Sequence, residues 1–303
     1  MKRAVIDIGT NSLRLLVAEM QNGKIKSGKK HVRMVRLGEM VDRSGVIGED
    51  ALGRCMNVLK EFVEMAATEK DIRIKALATS AVRDAKNRKE IVDRIESELP
   101  IDVEILSGDE EAEMGYFGVL SSFEAQGVFM MVDIGGGSTE FALGSRDRIY
   151  YKKSIDMGAV RMTEQFIKSD PVDLEDSIDL ERHIRNTIKN NLSDINVFDK
   201  GTLIGIGGTI TTLGAIKLKM GKYDRGKIHL TSISKGEIRG IVGELGRIPL
   251  ESRKSIIGLD SERADIIYAG SVILQEILNY FGCNDIVISD CDNLEGYLMM
   301  RQK

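Results

Sequence analysis

The sequence predicts an α/β protein built from two related domains, and three observations predict it. A short phrase occurs twice: Val5-Ile6-Asp7-Ile8-Gly9-Thr10-Asn11-Ser12 returns as Met131-Val132-Asp133-Ile134-Gly135-Gly136-Gly137-Ser138. Each copy opens three strand-like segments and is followed by alternating helices and strands. The chain, at 303 residues, is long enough for two domains that each bury a core. The expected division is 1–120 plus 288–303 for the first domain and 121–287 for the second, with the final helix returning to the first.

In order, strands are expected at 3–8, 12–18 and 24–33, with Asn22-Gly23 as a hairpin turn. An amphipathic helix at about 49–68 precedes strand 72–78, helix 80–97 and strand 101–106. The second copy repeats the opening at 128–134, 138–144 and 148–155. Helices follow at about 158–168 and 178–192, then strand 202–206 and helices 208–219 and 234–246. Residues 260–281 are apolar almost all round and read as one long buried helix. Strand 285–288 and a helix from about 292 close the chain. Two domains of this kind suggest a cleft that closes, with hinges near 107–122 and 285–290.

Composition narrows the function. Hydrophobic content of 42% and charged content of 30% describe a soluble globular chain. No apolar run is long enough to span a membrane, and no signal peptide is visible. Cys55, Cys283 and Cys291 are too few for a disulfide framework or zinc site, which fits a cytoplasmic location. A net charge of −4 argues against nucleic acid as a partner. Two basic runs, Lys24 to Arg36 and Lys217 to Lys227, read either as solvated faces or as a track for an extended anion.

The chemistry sits where strands end. An aspartate at the end of a buried strand suits a hard cation or its water, and a turn poor in side chains lets N–H groups approach phosphate oxygens. Asp7 and Asp133 hold those positions. Three consecutive glycines, Gly135 to Gly137, are poor strand material and favour close approach to a ligand. Gly205-Ile206-Gly207-Gly208-Thr209 repeats that logic ahead of another helix. In Thr79-Ser80-Ala81-Val82-Arg83, Thr79 or Ser80 can cap the helix, and Arg83 is either a surface partner of Asp84 or a phosphate ligand. In Ser107-Gly108-Asp109-Glu110-Glu111, the S-x-x-E spacing makes Glu110 a capping residue. Glu111 is left over, and a carboxylate there could serve as general base. Neither a Walker A pattern nor G-x-G-x-x-G is present.

These residues resemble the exopolyphosphatase and guanosine pentaphosphate phosphohydrolase family, within the superfamily of sugar kinases, actin and heat-shock chaperone ATPases. The stretches that carry the resemblance are 6–17, 78–87, 105–119, 132–144, 156–164, 204–209 and 261–274. It implies two actin-like (ribonuclease H-like) domains flanking a cleft. By position, Glu111 resembles the family's catalytic base, with Asp133 and Glu140 as supporting acids. Asp7, Asp133 and Glu140 would hold Mg²⁺ or Mn²⁺. Thr10, Asn11, Ser12, Arg14, Arg83, Gly135, Gly136, Gly137, Ser138, Arg161, Gly207, Gly208 and Thr209 would line the phosphate path.

The implied reaction is release of terminal orthophosphate from linear inorganic polyphosphate. Removal of the γ-phosphate from guanosine pentaphosphate is the close rival, and a non-catalytic polyphosphate or nucleotide binder is the rival outside enzymology. An ATP-dependent kinase is a third, disfavoured by the Glu-Glu-Ala loop. The family suggests a homodimer. Two departures stand out. The usual Arg-Glu-Gly before the last helix reads Leu294-Glu295-Gly296 here, and the added C-terminal helical domain of long members is missing by Lys303, which suggests short substrates.

Overall fold

In the computed structural model, which describes residues 1–67, 72, 74–124, 127–195 and 201–300, the chain opens as the antiparallel strands β1 (Lys2–Ile8), β2 (Ser12–Gln21) and β3 (Lys24–Met34). Asn22 and Gly23 both take positive φ, 50° and 76°, the hairpin geometry that Asn-Gly favours. Next come α1 (Val41–Ser44), α2 (Glu49–Ala67), β4 (Ile74–Ala78), α3 (Ser80–Asp84), α4 (Arg88–Glu98), β5 (Asp102–Ile105) and α5 (Gly108–Leu120). The second opening is β6 (Phe129–Ile134), β7 (Thr139–Gly144) and β8 (Ile149–Ile155). Then follow α6 (Ala159–Phe166), α7 (Leu174–Asn191), β9 (Thr202–Ile206), α8 (Gly207–Lys217), α9 (Arg225–Ile228) and β10 (Ser232–Ser234). The chain ends through α10 (Lys235–Arg247), α11 (Leu250–Arg253), α12 (Ile267–Phe281), β11 (Asp285–Ile288) and α13 (Asn293–Met300).

Two compact units result: Met1–Phe123 with Cys291–Lys303, and Glu124–Asp290. Each has one sheet, ordered β3-β2-β1-β4-β5 in the first and β8-β7-β6-β9-β11-β10 in the second. In both, the first three strands pair antiparallel and the next pairs parallel with the first. The repeated phrase therefore marks a repeated actin-like fold.

Strand alternation splits the first unit into layers. Ile6, Ile8, Leu13 and Leu15 face Leu59 and Phe62 of α2 and Ile91 and Ile95 of α4. Val5, Leu16 and Leu77 face Met114 of α5 and Leu294 and Leu298 of α13. Asp7 has the parity of Val5, so it lies on the α5/α13 side. Those two helices approach closely. A Cβ on Gly118 would overlap the Asp292 carbonyl, and one on Gly296 would overlap that of Met114. The second unit has one apolar core, in which β6 and β9 pack with α7, α8 and α12.

Four expectations change. The helix at 80–97 is two helices, because Asn87 turns its side chain to Ile47, accepting its N–H (3.1 Å) and donating to its carbonyl (2.9 Å). Neither capping candidate caps α3. Thr79 Oγ1 donates to the Ile8 carbonyl and Ser80 Oγ to Asp84. The long helix begins at Ile267, since Asp260 caps a separate 3₁₀ turn over Ser261–Arg263. The helix at 178–192 starts earlier, at Leu174, where Asp173 accepts the Asp176 N–H. The expected helix end at 68 and part of the strand start, at 73, lie outside the described residues. No helix among them is long and apolar enough to cross a membrane.

Candidate active site

The two Asp-Ile-Gly turns have the same construction. Gly9 N–H donates to the Ser12 carbonyl (3.2 Å), and Gly135 N–H to the Ser138 carbonyl (3.0 Å). A side chain at either glycine would press on that carbonyl. Each loop is then braced from behind through its own carbonyls. Thr10 and Asn11 carbonyls accept N–H groups of Val35, Arg36 and Gly38. Gly135 and Gly136 carbonyls accept those of Ala159, Val160 and Arg161 at the start of α6, and Arg161 Nε donates to the Gly137 carbonyl (2.8 Å). Gly158 is needed there because a Cβ would collide with Gly136. With the carbonyls turned into α6, the N–H groups of Gly136 and Gly137 have no partner among the described residues. That is the geometry of an anion-binding loop.

The loops differ in the residue opposite the aspartate. Register pairs Asp7 with Arg14 and Asp133 with Glu140. Arg14 donates from Nε (2.8 Å) to Asp7 Oδ2, with Nη2 at 2.6 Å, and gives Nη1 to Asp292 Oδ2 (2.7 Å). Lys30 lies 3.1 Å from Asp292 and 2.8 Å from Glu295. Burial moves Asp7 above its usual value, against the pull of Arg14. Burial also opposes the charge on Asp292, but Arg14 and Lys30 outweigh it and hold that carboxyl well below the usual range. Glu295 is pushed up, by burial first, then by Asp292, against Lys30.

Glu110 and Glu111 separate as the spacing predicts. Glu110 Oε2 accepts the Ser107 N–H (2.8 Å) and Ser107 Oγ accepts the Glu110 N–H (3.3 Å), completing a capping box. Glu111, one residue on, is buried and takes Nη1 of Arg83 at 3.0 Å. Arg83 also donates to the Leu106 carbonyl (3.2 Å), so the short α3 exists to aim this guanidinium at α5. The sequence alone does not pair Arg83 with Glu111.

In the second unit, Asp133 and Glu140 are buried neighbours across β6 and β7, and Glu140 Oε1 accepts Ser154 Oγ (2.7 Å). Gly207, at φ +84°, sits against Asp133 Oδ1, where a Cβ would overlap it. Gly208 is covered by the Arg263 guanidinium. A cation at the N-terminus of α8 opposes the helix dipole, an arrangement that an anion would favour. Arg263 was not singled out in the sequence, although it lies within the matching stretch 261–274. Thr209 turns to Gly270 of α12, in a packing position. Thr10 packs on Gly38, and Asn11 donates to Met34 Sδ (3.6 Å). Ser138 is buried beside the glycines, and Ser12 begins β2.

Residues 16–302 match the Ppx/GppA phosphatase family. The chain belongs to this family. Ppx/GppA relatives include exopolyphosphatase 2 of Mycobacterium tuberculosis, 31% identical over 97% of this chain and 96% of that protein. The bifunctional 3-dehydroquinate synthase/phosphatase of Fusobacterium nucleatum is 37% identical over 98% of this chain but 46% of its own length, so the chain spans about half of that relative. Among solved structures, the Ppx/GppA member of Aquifex aeolicus has a TM-score of 0.82 at 33% identity, covering 99% of this chain and 96% of that one. The exopolyphosphatase of Cytophaga hutchinsonii has 0.89 at 29%, covering 98% and 96%.

Membership sharpens the departure at 294. Leu294 is fully buried in the apolar cluster under β1 and β4, and the cation beside Glu295 is Lys30. The first basic run is likewise divided rather than continuous: Lys26 pairs with Glu19, Lys30 with α13, and Arg33 with Glu61. For a divalent ion, Asp133 and Glu140 offer two adjacent carboxylates, and Asp7 Oδ1 is buried with no hydrogen-bond partner among the described residues. Within each unit, taken by itself, carboxylate oxygens of this kind fit a hard cation or its water. No group of three or more His, Cys, Asp or Glu among the described residues forms a ready-made metal cage.

Proposed function

We propose that this chain is an exopolyphosphatase, releasing terminal orthophosphate from linear polyphosphate with Glu111 as general base. The observation that carries the reading is the split between two adjacent glutamates. Glu110 is consumed by the capping box, while Glu111 is buried and oriented by Arg83. A carboxylate held in this way can accept a proton from an attacking water while the bond to the terminal phosphorus breaks in line. The proton passes to Glu111, and the shortened polyphosphate leaves with the bridging oxygen. The N–H groups of Gly136 and Gly137, with Arg161 behind them, would take the charge on the phosphoryl oxygens. Asp133 and Glu140 in the second unit, and Asp7 Oδ1 in the first, are the acids that would serve Mg²⁺ or Mn²⁺, which would neutralise phosphate charge. The name of the mycobacterial relative supports polyphosphate as the substrate.

The test is phosphate release from short polyphosphate, long polyphosphate, guanosine pentaphosphate and ATP, each with Mg²⁺, for the unaltered chain and Glu111→Gln. Release from polyphosphate should fall roughly 10²–10⁴-fold in the variant at unchanged melting temperature. A folded variant with full activity sinks the assignment of Glu111. Release from guanosine pentaphosphate alone moves the substrate to a nucleotide.

A further inference from the structure

Five charged groups are packed together beneath the first loop: Asp7, Arg14, Lys30, Asp292 and Glu295. Three are acids and two are bases, and the acids are almost wholly buried. Asp292 is the hub. Its Oδ2 receives both Arg14 and Lys30, its Oδ1 accepts the Leu294 N–H (3.0 Å), and its own N–H donates to Glu295 (3.0 Å). The Asp292 backbone is locked in turn, because its carbonyl lies against Gly118 of α5. Asp292 therefore cannot follow Arg14 if the guanidinium moves, and it opposes any such move with a charge-assisted bond. Arg14 is two residues beyond the Thr10–Ser12 turn, so its guanidinium belongs to the end of the sheet that carries the loop.

We propose that Asp292 is a specificity-determining residue that commits Arg14 to the protein's own carboxylates and so withholds it from phosphate. This rests on reading the Thr10–Ser12 turn as a phosphate-binding element. An arginine divided between two acids in place contributes less to a polyanion than one held by Asp7 alone. Phosphate recognition in the first unit then depends on the loop backbone and on Arg83, and chains with little charge to spare bind weakly. The position shows how one side chain at the start of the last helix sets the charge offered by a loop 278 residues earlier in the chain.

The experiment is calorimetric binding of tripolyphosphate to the full chain, alongside steady-state phosphate release. It compares the unaltered protein with Asp292→Asn, Asp292→Ser, Arg14→Gln and the double variant Asp292→Asn/Arg14→Gln. Serine can still accept the Leu294 N–H, so the second variant keeps a helix cap if the first folds poorly. Each Asp292 variant should bind tripolyphosphate roughly threefold to tenfold more tightly and lower KM with kcat little changed. The Arg14→Gln background should erase that gain. Folded Asp292 variants that bind no more tightly overturn the proposal, as does a gain equally large without Arg14. If the unaltered chain releases no phosphate from polyphosphate, the functional reading fails, while the binding comparison still decides the role of Asp292.

Discussion

Gly207 shows how much depends on a single missing side chain. Its φ of +84° is in the region where only glycine is at ease, and its Cα faces the Asp133 carboxylate. Replacement by alanine combines backbone strain with a collision, so Asp133 must move or the loop must open. Gly207→Ala should lose about 2 kcal/mol of stability in denaturant titration, and its phosphate release should drop more than the stability loss explains. Normal activity in a folded Gly207→Ala protein would show that Asp133 does not need this restraint. The glycines and Asp133 were legible from the sequence because their spacing repeats. So was the division between Glu110 and Glu111, because a capping box is local. Arg83 on Glu111, 28 residues apart, and Lys30 on Glu295 were not legible. Charge pairing between distant elements leaves no periodic trace, and the basic run of β3 reads as one face although alternate residues point to opposite sides.

Elements were legible where a face or a cap is local and lost where a side chain from elsewhere intervenes. Asn87 ends α3 early by bonding to residue 47, and no pattern within 80–97 announces it. At α7 the cap is local, Asp173 in the polar run before it, yet the helix expected from 178 already begins at Leu174. Asp176, in the first turn, accepts N–H groups of Lys168 (2.7 Å) and Ser169 (2.9 Å) and the Ser169 hydroxyl (2.8 Å). Burial opposes its charge, but those donors outweigh burial and keep its carboxyl below the usual value of 3.8. A depressed acid stabilises the fold above the unfolded pKa, and that contribution fades as pH falls through the lower folded value. Asp176→Ala should therefore cost about 2 kcal/mol at pH 7 in urea denaturation. The gap from the unaltered chain should hold down to about pH 4 and shrink in stronger acid. A gap independent of pH would mean that packing, not the carboxylate, accounts for the loss.

At the scale of the molecule, the duplication hides an asymmetry of chain economy. The second unit is one continuous stretch, Glu124–Asp290, and every residue of its apolar core comes from within it. The first unit is discontinuous and borrows α13 from the end of the chain. That helix supplies Leu294 and Leu298 to the layer under Val5, Leu16 and Leu77 and Glu295 to Lys30, and the residue just before it, Asp292, pairs with Arg14 and Lys30. Without this segment, an apolar face is exposed to water, Lys30 loses Asp292 and Glu295, and Arg14 keeps Asp7 but loses Asp292, all of which are destabilising. Glu124–Asp290 expressed alone should thus melt in one cooperative transition, whereas Met1–Phe123 alone should bind hydrophobic dye and show none. Joining Phe123 to Cys291 through a short Gly-Ser linker should restore cooperative melting, because Gly118 already lies against Asp292 and the two ends arise from one neighbourhood. If Met1–Phe123 melts as sharply as the joined form, α13 is an ornament of the first unit. In that case the ion cluster at its start cannot be what fixes Arg14.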